Sequence, residues 1–351
     1  MRSNATVRAT FTFAVSIFFS FIGPLHAADQ KPTPITTKPW SEAVVSVSDL
    51  DRTAAFFTDI GGYNVRWRGA LDKQELSSFG LPAEASGDAV LLGHLDHPTG
   101  MIRLVKFENA GYQDLMRPGG QAWDSGCFAT IMVRAKNLRG LYDKAIAMGW
   151  LPATPIVRLY FNTSTLDVVI LRGPDGIQVQ AYERLAPALP AEVGDFDAFS
   201  RPFNVMQMVK QMDTAYDFYT RVLGFDTFYY ADPYRAKEPE FSPLGMPKDL
   251  STTMAYQAGI LYPVAGEFGR MELIDHPDFG GYDFSDRCDA PNFGILAVRF
   301  AVDDINAAQK QLLDHDWPLQ FAPVKASIAP YGEVGIFGLK TPDGALIQFY
   351  Q

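Results

Sequence analysis

The sequence predicts an α+β fold of four β-α-β-β-β modules, and three observations carry that prediction. The chain repeats itself: Val47 and Val209, Asp51 and Asp213, Phe56 and Phe218, and Gly62 and Gly224 each stand 162 residues apart. Each copy opens on an alternating apolar run, the mark of a half-buried strand, and passes into helical spacing. Two other segments end alike, in Pro174-Asp175-Gly176 and Pro342-Asp343-Gly344, turn residues that lead into a final strand. A unit this short leaves one sheet face bare, so it must be buried against a neighbour.

Arg2 and Arg8 precede an uncharged apolar run over residues 10–22, which Gly23-Pro24 breaks before Ala27-Ala28. This is the layout of a secretory signal, and the run is shorter than the ~20 residues that span a bilayer. Residues 1–27 therefore read as a signal peptide. The mature protein reads as periplasmic or secreted, with no membrane segment after cleavage. Export implies an oxidising compartment, where the two cysteines, Cys127 and Cys288, are available to pair.

Residues 28–39 are polar and Pro-rich, a linker. Residues 40–185 form a first domain of two modules. In module one Asp49 or Asp51 caps a helix that Gly62 closes. Module two has a strand over 131–138 and a helix over 141–148. Residues 186–198 hold a Pro/Ala-rich stretch, a second linker. Residues 199–351 form a second domain: module three opens at Asn204 and its helix closes at Gly224, and module four has a strand over 296–305 and a helix over 307–313. The modules are taken to pair within each half.

Apolar residues make up 47% and charged residues 20%, a globular composition. The net charge is −10 with no basic tract, which excludes a nucleic-acid partner. Two cysteines cannot build a zinc ribbon. There is no Gly-rich phosphate loop and no nucleophile elbow.

The segments Val47-Ser-Asp-Leu-Asp-Arg-Thr-Ala-Ala-Phe-Phe57 with Gly61-Gly62, Tyr216-Asp-Phe-Tyr219 with Leu223-Gly-Phe225, and the two Pro-Asp-Gly turns resemble the vicinal oxygen chelate superfamily: glyoxalase I, extradiol dioxygenases and bleomycin-resistance proteins. The resemblance covers nearly all of residues 40–351. It implies two glyoxalase-like domains whose mixed sheets curl into cups. A divalent metal often sits at the base of such a cup, held from the first and last strands. The positions matching those ligands are Glu42, Arg103, Thr130 and Gln180 in the first half, and Asn204, Glu272, Ala297 and Gln348 in the second. A guanidinium at a ligand position repels a cation by several kcal/mol in a half-buried site, and Thr is a poor transition-metal ligand. No cofactor is therefore expected. Glu272, Asn204 and Gln348 remain as a weak oxygen-donor alternative. His94, His97 and His276 read as surface loop residues, and His315 as a helix-end cation.

Aromatic residues are 13% of the chain, which suits a cavity for a flat or hydrophobic small organic molecule. Trp67 and Tyr229 are candidate lining residues; Gln180, Asn204 and Gln348 are candidate polar contacts. Arg66 and Arg68 flank Trp67 and could hold a carboxylate, or lie on a solvated edge. Loops 72–82 and 236–247 share Gly-Leu-Pro and Gly-Met-Pro and read as lids. The reading taken is a metal-independent lyase or isomerase. Glu42 or Glu272 would act as base with a raised pKa, and Arg103 would stabilise an oxyanion. Glu42 and Arg103 could instead form a salt bridge. A ligand-sequestering protein and a metal-dependent enzyme with degenerate ligands stay open, as does the oligomeric state.

Overall fold

The computed structural model describes residues 32–351, so the signal peptide and the start of the linker lie outside the described residues. Module one runs β1 (Glu42–Ser46), α1 (Leu50–Ala55), β2 (Asn64–Ala70), α2 (Lys73–Ser78), β3 (Ser86–Gly93) and β4 (Met101–Glu108). Module two runs β5 (Phe128–Arg134), α3 (Leu138–Ala147), β6 (Leu151–Pro152), β7 (Val157–Phe161), β8 (Ser164–Arg172) and β9 (Gln178–Ala186). Module three runs β10 (Asn204–Met208), α4 (Met212–Asp217), β11 (Asp226–Tyr230), β12 (Gln257–Tyr262) and β13 (Arg270–Asp275). Module four runs β14 (Gly294–Ala301), α5 (Ile305–Asp314), β15 (Phe321–Ile328), β16 (Gly332–Lys340) and β17 (Leu346–Tyr350).

The local signals act as expected. Asp49 accepts a hydrogen bond from the Arg52 amide and starts α1. A π turn (Phe56–Ile60) extends α1, and its counterpart (Phe218–Val222) extends α4. Gly62 and Gly224 follow with φ of 75° and 73°, the left-handed conformation that ends a helix. Gly344, in the second Pro-Asp-Gly turn, has φ 78°, and a Cβ there would lie 2.1 Å from the Ser285 carbonyl oxygen. Gly344→Ala is expected to lower stability by about 2 kcal/mol in urea unfolding, through backbone strain plus the clash.

Within each module the first and last strands pair in parallel, as β1 with β4 and β10 with β13. Between modules the pairing crosses the halves. Antiparallel β1 and β14 join modules one and four, with Glu42 opposite Arg299. Antiparallel β5 and β10 join modules two and three, with Asn204 opposite Met132. The expected pairing within residues 40–185 and within 199–351 is thus corrected: each cup takes one module from each half. The physical reason is that the module repeat fixes which strands are central, whereas the partner across the seam depends on how the chain returns. The two cups meet at Ile295 opposite Phe128, and among the described residues 17 strands form one continuous sheet.

One core cluster lies beneath the helices of all four modules; in it Phe56 stacks on Trp150 with ring centres 3.5 Å apart, and Phe218 lies against Trp317. The stretches read as linkers are part of the packing. Ile35 is buried and its amide donates to the Leu223 carbonyl, and Val193 and Phe196 are buried in the second cup. Among the described residues no helix is long and apolar enough to cross a membrane.

Candidate functional site

The concave faces of the two cups differ. In the cup of modules one and four, α2 turns inward. Asp72 caps it by accepting from the Gln74 and Glu75 amides, and Leu71, Leu76, Phe79 and Leu81 fill the concavity. The same segment carries Glu75 against Arg299, 2.8 Å away. Four buried charges then meet. Arg103 holds Glu42 through Nε and Nη2, at 2.7 and 3.0 Å. Arg299 reaches Glu42 at 2.8 Å and donates to Gln348 Oε1 at 2.7 Å. Tyr331 adds a hydroxyl donor to Glu42 at 3.0 Å. Burial alone would raise the Glu42 pKa, but the two guanidiniums and the hydrogen bonds outweigh it and hold the carboxyl below its ordinary value. The expectation of Glu42 as a base with raised pKa is therefore corrected: it is the salt-bridge partner of Arg103. Trp67 lies under the Arg103 guanidinium, 5.5 Å from ring centre to carbon, so it too belongs to this filled cup.

The cup of modules two and three is open. A cavity of about 250 Å³ is lined by Gln180, Asn204, Tyr229 and Glu272, with Arg134, Arg184 and Arg270 around it. Asn204 donates to Glu272 at 2.9 Å, and the Gln180 amide donates to the Pro243 carbonyl at 2.9 Å. The other ends of both amides, Asn204 Oδ1 and Gln180 Oε1, are buried without a hydrogen-bond partner. Such atoms cost free energy unless a ligand or water meets them. Burial pushes the Glu272 pKa up to about 7; Asn204, Arg134 and Arg270 only partly oppose it. Arg134 stacks on Phe203 at 3.9 Å and Arg270 on Phe228 at 3.8 Å. A second cavity of about 480 Å³ adjoins the first and shares Phe161, Tyr229, Pro243 and Tyr256 with it.

The structure thus brings together Glu272, Asn204, Gln180 and Tyr229, and places Glu42, Arg103, Gln348 and Trp67 in the other cup. The residues facing Glu42 and Asn204 across the seams are Arg299 and Met132, two places beyond Ala297 and Thr130. Counting back from a helix cap gives a place along one strand, not the antiparallel register across a seam. Arg66 and Arg68 do not converge: Arg66 donates to the His97 carbonyl and Arg68 pairs with Asp51. His276 is also corrected. It is buried, its Nε2 has no partner, and burial pushes its pKa down to about 4. The arginines of the open cup were missed, although strand alternation puts Arg270 on the face of Glu272 and Arg134 on that of Met132.

The resemblance implies a divalent metal, and the residues present do not fit one. In the filled cup two guanidiniums hold the carboxylate that would bind it. In the open cup the set is one carboxyl, two amides and the Met132 thioether, with no imidazole or thiolate, and the one carboxyl has its pKa pushed up to about 7. Among the described residues no three His, Cys, Asp or Glu side chains group as a metal site would require.

The architecture is that of tandem glyoxalase-fold proteins. Glyoxalase I from Zea mays aligns over 89% of this chain and 92% of its own at 14% identity, with a TM-score of 0.56. Two mutant forms of that enzyme align at 14% and 15% identity, each with a TM-score of 0.59, over 92% and 94% of their chains and 89% and 90% of this one. Likeness at that identity shows the fold alone. Residues 202–349 match the family model of the Glyoxalase/Bleomycin resistance protein/Dioxygenase superfamily, and that segment belongs to the superfamily. No curated protein matches the sequence.

Proposed function

We propose that this is an exported protein whose open cup binds a small organic acid and moves a proton on it, as a metal-independent isomerase or lyase. The observation that carries this reading is Glu272: a buried carboxyl with a pKa near 7 at an aromatic-lined cavity. A group with that pKa gives up and takes back a proton near neutral pH, as a general base must. Arg134 and Arg270 share one carboxylate, Glu267, and with Arg184 they leave positive charge over for a ligand carboxylate. The signal-like N-terminus and the Cys127–Cys288 disulfide support export, since disulfides persist in oxidising compartments.

The test is a panel of arylacetates and arylpropanoates, read by thermal shift and by proton NMR in D2O. At least one acid should bind saturably and exchange the hydrogen next to its carboxylate. Glu272→Gln should keep binding and lose exchange. Binding without exchange would support ligand sequestration instead, a reading favoured by the unpartnered Asn204 and Gln180 oxygens, which suit recognition without chemistry. Failure of every acid to bind would overturn both.

Glu272 also makes stability depend on pH. Its folded pKa is raised, so its contribution is whole below the unfolded value of 4.5 and is lost as pH rises through about 7. Glu272→Gln, which stays neutral, should match the wild type at pH 4 and exceed it at pH 8 by about 3 kcal/mol in urea titrations.

A further inference from the structure

The second cavity has its own chemistry. Three features along the joined cavities change in order. Innermost are Arg134, Arg184 and Arg270, with Glu272 and Glu267. In the middle, where the cavities share their walls, are Phe161, Tyr229 and Tyr256; Phe161 and Tyr229 meet edge to face at 4.9 Å. In the outer cavity are Asp232 and Glu240. Its one basic lining residue, Arg158, is paired with Asp167. Arg134 and Arg270 share the single carboxylate Glu267, at 3.3 and 3.4 Å, so three guanidiniums still outweigh it and the inner end favours an anion, while the outer end favours a cation.

The outer end is also built as a cation site of a recognisable kind. The rings of Tyr234 and Tyr256 stand edge to face, 5.7 Å between centres, and both border the cavity. Tyr234 donates its hydroxyl to Glu240 Oε1 at 3.2 Å, which sets the carboxylate beside the two rings. Their backbones are tied as well, each amide donating to the other's carbonyl at 2.8 and 3.0 Å. Two aromatic faces with an adjacent carboxylate attract an ammonium group through ring quadrupole and charge together.

We infer that the two cavities are one divided site that selects an elongated molecule with a carboxylate at its inner end, an apolar body, and an ammonium group at its outer end. The inference rests on the reading of the inner cavity as an organic-acid site and adds the class of acid. Substituents on the body are held by stacking, which tolerates varied aromatic or aliphatic shapes. The two charged ends fix orientation, because reversing the molecule would place its ammonium among arginines and its carboxylate beside Glu240. That orientation presents the carboxylate end, and the carbon next to it, to Glu272.

The test is isothermal titration with a matched pair, 3-(4-methylphenyl)propanoate and 3-[4-(aminomethyl)phenyl]propanoate, at low salt, with benzoate as the short reference acid. The aminomethyl acid should bind about 5-fold tighter than the methyl acid, the size expected of a partly exposed cation against rings and a carboxylate. Glu240→Gln and Tyr234→Ala should each erase most of that preference, read as the ratio of the two affinities in each variant. If benzoate and both propanoates bind but the ammonium adds nothing, or if its gain survives Glu240→Gln, the divided site is overturned while the organic-acid reading stands. If no carboxylate binds, both are overturned.

Discussion

Replacing Arg299 by methionine is expected to lower the unfolding free energy by about 3–5 kcal/mol in urea at pH 7. Arg299 is wholly buried and touches three groups at once: Glu42 at 2.8 Å, Glu75 at 2.8 Å and the Gln348 amide oxygen at 2.7 Å. The two carboxylates and the two arginines balance only as a set. Without Arg299, Glu42 keeps Arg103, but Glu75 is left among Leu76, Phe79 and Leu81 without its ion-pair partner and with only the shared charge of Arg103 to offset it. Removing the charge on both sides is a different matter. Arg299→Met combined with Glu75→Met should regain most of the loss, because a buried ion pair is worth little more than well-packed apolar groups of similar volume. The pH dependence is opposite in sign to that of Glu272. The Glu42 pKa is lowered in the folded state, so its contribution is present above 4.5 and fails as the pH falls below it. The wild type should therefore lose stability in acid through this cluster, and Arg299→Met should show a shallower acid fall. A single variant as stable as the wild type would mean that the cluster is wet and the cup is open, contrary to the packing of α2.

The repeat made the modules legible: the 162-residue offset, the Asp49 cap and the glycines at 62 and 224 mark real boundaries, because each is a local demand of backbone geometry. The candidate site was legible in part. Glu272, Asn204 and Gln180 were named as the positions matching the family's ligands and Tyr229 as an aromatic lining residue, and all four line one cavity. What could not be read was which modules share a cup. Pairing between first strands is made by long-range backbone hydrogen bonds, and nothing at Glu42 or Asn204 states whether the opposing strand comes from the same half. The buried state of His276 was hidden for a similar reason. Asp275-His276-Pro277 has the composition of a loop, but the His276 ring is buried beside that of Tyr256, 6.5 Å between centres.

The two cups also show how one fold gives up a site in one place and keeps it in another. Loops 72–82 and 236–247 occupy equivalent places, and Glu75 and Glu240 both precede their Gly-x-Pro by the same number of residues. In the first cup the loop forms α2, and Glu75 is spent on Arg299. In the second cup the loop stays at the mouth, Glu240 remains exposed, and Arg134 and Arg270 stack on rings beside an open cavity. Charge decides the difference: a carboxylate is drawn inward where a buried guanidinium faces it, and the residue in the place of Arg299 is the uncharged Met132.

Removing the disulfide by Cys127→Ala with Cys288→Ala is expected to lower stability by about 2–5 kcal/mol. The bond closes a loop over a sequence separation of 161 residues. In the chain-entropy account a loop that long constrains the unfolded state by close to the upper figure, and relaxation of the native state takes part of it back. Its position adds to the argument. Cys127 precedes β5 of the open cup and Cys288 precedes β14 of the filled one, where the two strands share the single pairing of Ile295 with Phe128. The crosslink therefore fastens the cups at their thinnest backbone contact. Both cysteines are buried, so the variant also loses some native packing, but in the chain-entropy account most of the effect lies in the unfolded state. That gives a second readout besides the midpoint: without the crosslink the unfolded chain exposes more surface, so the urea m-value should rise. An unchanged midpoint and m-value, together with two thiols that label in the urea-unfolded wild type without added reductant, would mean that the cysteines are not bonded in the native protein. That result would also remove one of the two supports for export, leaving the N-terminal segment to carry it alone.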